Sequence, residues 1–186
     1  IVLDTGRDFS LFGQWVILIL FQIGGLGIMT FSTMFAFLLG RKISLRQRLI
    51  IQESLNQFSI GGLVRLAKYI IFFTIFFEGI GTIFLYLNWY NLTSSHSTIF
   101  LSFFHAISAF CNAGFSLFSD SLEQFNLSIG INLIFLILII FGGIGFLVLV
   151  ELYEFPKKRR LSLHTKLVLV VTIILFVTGT FAIFLL

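Results

Sequence analysis

Four long apolar runs organise this chain: Trp15–Leu39, Tyr69–Leu87, Ile131–Leu152 and Leu167–Leu186. The apolar residues in them are continuous rather than alternating, which predicts helices and not barrel strands. A bilayer core about 30 Å thick needs about 20 apolar residues in a helix, and all four runs meet that length. A fifth run behaves differently. Residues 98–110 are apolar but make a helix only about 20 Å long, which can enter a bilayer and not cross it. The segment Cys111-Asn112-Ala113-Gly114-Phe115 follows, then a polar connection over 116–130, then the third long run. Span, short helix, glycine-bearing turn, span is the layout of a re-entrant pore loop.

Charge orients this layout. Of the 12 Lys and Arg residues, Arg41, Lys42, Arg46, Arg48, Arg65 and Lys68 separate the first two spans. Lys157, Lys158, Arg159, Arg160 and Lys166 separate the last two, and only Arg7 precedes the first. Residues 69–154 carry none. The positive-inside rule therefore puts loops 41–68 and 156–166 in the cytoplasm and brings the pore loop in from outside. The net charge of +4 is a topology and lipid-contact signal and calls for no nucleic acid. Leu45, Leu49, Ile50, Leu55 and Phe58 predict an interfacial helix in the first basic loop, broken at Gly61-Gly62. The single cysteine excludes an internal disulfide and a cysteine-rich metal framework. Residue 1 is not Met and the last residues are apolar, so the chain is expected to be a piece of a longer protein.

Two spans echo one another. Ile23-Gly24-Gly25-Leu26-Gly27 matches Phe141-Gly142-Gly143-Ile144-Gly145 at a spacing of 118 residues. Both motifs lie mid-span in helices of the same direction, which predicts a parallel repeat of two spanning helices with a pore loop between them. These glycines read first as close-packing positions and second as points where the helices bend around a cavity. The chemistry falls on the pore loop. A cation such as K⁺ must exchange its water shell for other oxygens, and backbone carbonyls supply them without a trapping charge. Turning successive carbonyls toward one axis needs dihedrals that glycine permits, which singles out Gly114. Asp120 and Glu123 outside it would attract cations. No side-chain metal site and no catalytic acid–base or nucleophile set is visible, so the chain does not read as an enzyme.

Asp4-Thr5-Gly6, Gly24-Gly25-Leu26-Gly27-Ile28-Met29-Thr30 and Ala109-Phe110-Cys111-Asn112-Ala113-Gly114-Phe115 together resemble the membrane subunit of the Trk/Ktr/HKT potassium transporters. Gln52-Glu53-Ser54-Leu55-Asn56 and Gly61-Gly62-Leu63-Val64-Arg65 are most similar to the bacterial Ktr branch. The resemblance implies an all-α membrane protein of repeated helix–pore loop–helix units around a central ion pore, four in all, each giving one glycine to the filter. Residues 1–40 would then end repeat one, with its outer connection and second helix. Residues 41–68 form a cytoplasmic basic connector, and 69–155 the whole of repeat two: helix 69–87, pore helix 98–110, filter 111–115 and helix 131–152. A second connector, 156–166, leads to the first helix of repeat three, 167–186. The filter is Cys111, Asn112, Ala113, Gly114 and Phe115, binding K⁺ through backbone carbonyls. The family often has Asn at the position of Cys111. The first filter glycine would precede Ile1, and the family's gating loop would follow Leu186.

The resemblance further implies a homodimer and a cytosolic nucleotide-binding regulatory ring, with no cofactor in this chain itself. The basic loops are the expected contacts of that ring. Glu78, a carboxylate within a span, reads as hydrogen-bonded behind the pore helix. Gln14 and Gln22 are expected to bond neighbouring helices, His105 to pack on the pore helix, and Cys111 to be structural. The leading reading is K⁺ uptake across the cell membrane. Two others stand beside it: a Na⁺-permeable or other cation channel of the same superfamily, and a membrane assembly subunit or membrane enzyme without a pore.

Overall fold

The computed structural model describes residues 4–27, 60–90 and 95–185. The regular elements among them are helical: α1 (Leu11–Leu26), α2 (Ile60–Trp89), α3 (Ser95–Phe110), α4 (Ile129–Gly143), α5 (Phe146–Lys158) and α6 (Leu163–Phe184), with a 3-10 turn at Glu123–Phe125. The chain is an all-α membrane protein. Both α2 and α6 are long and apolar enough to cross a membrane, which makes it multi-pass.

The chain forms two compact units, Ile1–Gly143 and Ile144–Leu186. In the first, the short helix α3 is the hub and packs on α2, α4 and α1, while α2 also packs on α4. Leu18 and Phe21 of α1 form a core cluster with Phe104 and Ile107 of α3. Gly81 brings α2 close to α4, since a Cβ there would come within 2.8 Å of Leu138. At the end of α2, Trp89 is fully buried among the rings of His105, Phe118, Phe125 and Phe135. These interlocking rings supply area burial plus edge-to-face attraction. In the second unit, Ser162 caps α6 by accepting from the Thr165 amide at 3.2 Å. Its hydroxyl donates to Glu151 of α5 at 2.9 Å.

Several predicted boundaries shift. Helix α2 starts at Ile60, nine residues before the predicted Tyr69. Gly61 and Gly62 thus lie in its first turn, where amide groups lack intrahelical partners anyway and glycine interrupts little. The interfacial helix predicted for 45–58 lies outside the described residues. Helix α3 begins at Ser95 rather than Thr98, and α6 at Leu163 rather than Leu167. The larger differences concern the two glycine motifs. The span predicted over 131–152 is interrupted after Gly143, and α5 starts only at Phe146. Likewise α1 ends at Leu26, and the rest of the span predicted to Leu39 lies outside the described residues. The cause is the same at both places. Gly27 has φ 75 and ψ 139, and Gly145 has φ 88 and ψ 145, a region open essentially to glycine alone. These two residues are 118 positions apart, so the sequence echo extends to backbone conformation.

Candidate functional site

The C-terminus of α3 sets the geometry of everything after it. Asn112 adopts a left-handed conformation, φ 53. Its amide returns to the Ala109 carbonyl at 3.1 Å, and the Ala113 amide to the Ser108 carbonyl at 2.9 Å. This paired pattern is a left-handed helix cap, and Asn is one of the few residues besides Gly that occupies it readily. Cys111 and Asn112 therefore finish the helix with a turn, and a segment without regular structure begins at Ala113. The Asn112 side chain bridges onward, donating to the carbonyls of Phe110 at 3.3 Å and of Ile139 in α4 at 3.4 Å.

Below the turn the chain sits in two notches. A Cβ on Gly25 would lie 2.6 Å from the Cys111 sulfur. A Cβ on Gly142 would collide with the Phe110 carbonyl oxygen. Of the six motif glycines, Gly25 and Gly142 thus serve close approach, and Gly27 and Gly145 serve backbone conformation. Gly24 has nothing within 4 Å, and Gly143 meets only the Asn112 amide at 3.7 Å. Gln22, one turn before Gly25, donates to Glu78 at 2.9 Å and accepts from the Cys111 thiol at 3.7 Å. Glu78 is buried, 7% exposed. The expected roles of Gln22 and Glu78 are met, the pairing being with each other.

Beyond Gly114 the strand is tied to α3 by side chains. The Ser108 hydroxyl donates to the Phe115 carbonyl at 2.7 Å and accepts from the Phe115 amide at 3.0 Å. His105 is buried, 1% exposed. Its Nδ1 donates to the Leu101 carbonyl at 2.8 Å, which leaves Nε2 as an acceptor. Nε2 receives the Ser116 hydroxyl at 3.0 Å and the Leu117 amide at 3.3 Å. The ring is thus the neutral tautomer protonated on Nδ1. His105 packs on α3 as expected, and it also braces the segment that follows Gly114. Ser108 and Ser116 were not singled out in the sequence; Ser108 lies two residues before the end of α3 and Ser116 in the connection after it.

Between these anchorages the amides of Cys111, Asn112 and Ala113 are bonded back to α3, but the carbonyls are not taken. Among the described residues, the carbonyls of Cys111, Asn112, Ala113 and Gly114 accept no hydrogen bond, whereas that of Phe115 is taken by Ser108. Gly114 has φ 72, and a Cβ there would meet nothing within 4 Å. The strand separates two openings. Cys111 and Ala113 face one of about 410 Å³ with Leu20, Gly24 and Gly25. Asn112, Gly114 and Ser116 face one of about 290 Å³ with His105, Ser108 and Ser121. Phe115 borders both.

The loop Asp4–Phe9 lies over the end of this segment. A Cβ on Gly6 would collide with the Leu117 carbonyl. Asp4 accepts from the amides of Gly6 at 2.8 Å and Arg7 at 3.2 Å. Desolvation raises the Asp4 pKa, but hydrogen bonds from Ser119, Gly6 and Arg7 and the Arg7 charge outweigh it, leaving the carboxyl below its ordinary 3.8. Gln14 departs from expectation: its amide donates to the carbonyls of Thr5, Gly6 and Phe9 at 3.2–3.4 Å, tying the loop instead of a neighbouring helix. Asp120 and Glu123 are exposed in the connection between α3 and α4.

Known proteins resemble this chain along most of its length. The family model TrkH, cation transport protein, matches residues 2–186. The chain is 44% identical over 185 residues to Ktr system potassium uptake protein B of Bacillus subtilis, covering 100% of this chain and 42% of that protein. It is 40% identical to the protein of the same name from Vibrio alginolyticus, covering 96% and 40%. A third relative, the potassium/sodium uptake protein NtpJ of Enterococcus hirae, is 34% identical over 95% of this chain and 39% of its own length. The chain thus spans about two fifths of the length of these relatives.

Proposed function

Because this chain belongs to the TrkH family of cation transport proteins, we propose that it forms part of a membrane subunit for K⁺ uptake, with residues 111–115 as a filter strand and Gly114 at its centre. One observation carries the reading: among the described residues, four successive carbonyls, Cys111 to Gly114, have no hydrogen-bond partner although the segment is anchored on both sides. Unpaired carbonyls at membrane depth cost several kcal/mol each unless they line a water-filled cavity. A row of them is also what replaces the hydration shell of a K⁺ ion. Within the strand the reading favours Cys111–Gly114 as the ion-facing carbonyls, with Phe115 as the anchor. The membrane potential supplies about 2.3 kcal/mol per charge at 100 mV for inward movement.

The repeat layout follows from the same reading. Residues 69–155 form one helix–pore loop–helix unit, flanked by the second helix of a preceding unit and the first of a following one. The Gly27 and Gly145 conformations support this. Loops 41–68 and 156–166 face the cytoplasm, where they meet anionic lipid and a nucleotide-binding regulatory ring, and the membrane subunit pairs with a second copy. Na⁺ permeation is the second reading, favoured by the potassium/sodium name of the Enterococcus relative.

Growth rescue tests the proposal. The full-length protein should restore growth of a K⁺-uptake-deficient bacterium at low K⁺ and carry Rb⁺ flux. Membrane-inserted protein that does neither would refute K⁺ uptake, and flux of Na⁺ with no Rb⁺ flux would favour the second reading.

A further inference from the structure

We propose that Glu78 and Gln22 are positioning residues for ion selection: Glu78 fixes the Gln22 amide, and Gln22 seats Cys111, where the candidate filter begins. The proposal rests on residues 111–115 being the ion path. Three elements meet at this network. Gln22 lies on α1, Glu78 on α2, and Cys111 in the turn that ends α3. The Gln22 amide is used at both ends, its nitrogen donating to Glu78 at 2.9 Å and its oxygen accepting from the Cys111 thiol at 3.7 Å. An amide free to flip would present nitrogen to the thiol; the carboxylate acceptor prevents this. Gly25 supplies a second, independent constraint, because its missing Cβ is the space the Cys111 side chain fills.

The consequence reaches the filter through a short lever. Cys111 immediately precedes Asn112, whose left-handed conformation turns the chain out of the helix. Gly114 lies two residues further on, where a Cβ would meet nothing within 4 Å, and among the described residues no side chain hydrogen-bonds its backbone. Its position is therefore inherited from the two anchorages. The downstream one is Ser108 and His105 on α3 itself. The upstream one is the Glu78–Gln22–Cys111 chain, which refers the strand to two other helices. A polar group at membrane depth also needs a partner of this kind to be tolerated. The 410 Å³ opening beside Cys111 and Gly25 gives reagents a route to the thiol, which is partly exposed.

The test uses the full-length protein in membranes, with Cys111 as the reactive thiol and a Cys111→Ser variant as background. Variants Gln22→Leu, Glu78→Leu and Glu78→Gln are compared for Cys111 modification by a charged methanethiosulfonate and for the Rb⁺/Na⁺ flux ratio. Gln22→Leu and Glu78→Leu are expected to raise the modification rate and lower the flux ratio, each about fivefold, the scale of one interhelical hydrogen bond. Glu78→Gln retains an acceptor for Gln22 and is expected to stay within about twofold of wild type on both readouts. Gln22→Leu removes no charge and carries the test if Glu78→Leu does not accumulate. Unchanged reactivity and flux ratio in Gln22→Leu would overturn the proposal, as would damage by Glu78→Gln equal to that by Glu78→Leu. If wild type carries no cation flux, the ion-path reading fails separately, while the modification rates still report whether the network seats Cys111.

Discussion

Upstream of Gly114 the segment is held mainly by shape, with the Gln22–Cys111 hydrogen bond beside it. Cys111 rests over Gly25 and the Phe110 carbonyl over Gly142, and in both places a single methyl group would collide. Downstream it is held by hydrogen bonds: Ser108 grips both backbone atoms of Phe115, and His105 receives Ser116 and Leu117. The difference matters because the two kinds of anchorage fail differently. A filled notch pushes backbone against backbone and has no cheap relaxation. A lost side-chain hydrogen bond leaves the fold in place and frees a few backbone groups. Gly114 belongs to neither class. It needs glycine for its φ of 72 and not for space.

This comparison orders the expected effects. Gly142→Ala should be the most damaging, costing about 3 kcal/mol or more through overpacking, and should show as loss of membrane-inserted protein on a blot. A variant that accumulates normally would mean the notch is not needed. Gly114→Ser should accumulate, since its Cβ meets open space, at a conformational cost of about 1–2 kcal/mol; its expected effect is on ion preference. Ser108→Ala leaves both backbone atoms of Phe115 without their partner and should cost about 1–2 kcal/mol. Ser108→Thr restores the hydroxyl and should recover the Rb⁺/Na⁺ flux ratio. His105→Phe keeps a ring among Trp89 and Phe118 and strips the brace from Ser116 and Leu117. Its loss in flux ratio should be smaller than that of Ser108→Ala, because it acts farther from Gly114.

The loop Asp4–Phe9 gives the smallest effect. The Asp4 carboxyl titrates below its ordinary 3.8 in the folded protein, so its contribution is complete above about pH 4 and disappears as pH falls through the lowered value. Protease cleavage within residues 4–9 should therefore rise on acidification, and less so in Asp4→Asn. Cleavage independent of pH in both proteins would remove Asp4 from the account.

The apolar runs made the helices legible, since length and continuity of hydrophobic residues decide which segments can cross a bilayer. The short run 98–110 was legible for the same reason, by failing that length. What hydropathy does not carry is dihedral preference. Gly27 and Gly145 sit inside runs that read as unbroken, and only the backbone reveals that Gly27 closes α1 and Gly145 precedes the start of α5. The left-handed Asn112 was hidden similarly, because Cys-Asn-Ala reads equally well as strand. Partners of polar side chains were half legible: that Glu78 needs one follows from its surroundings, but its pairing with a residue 56 positions earlier is a fact of packing. Gln14, predicted to reach a helix, bonds its own preceding loop.

The central claim is that Gly114 lies in the ion path, and a paired substitution tests it most directly. Gly114 and Gly143 both have room for a serine side chain, but only Gly114 carries a positive φ within the unpartnered carbonyl row. In the full-length protein, the Rb⁺/Na⁺ flux ratio of Gly114→Ser should fall toward unity while Gly143→Ser stays near wild type. Equal ratios in Gly114→Ser and wild type, with both proteins in the membrane, would contradict the account.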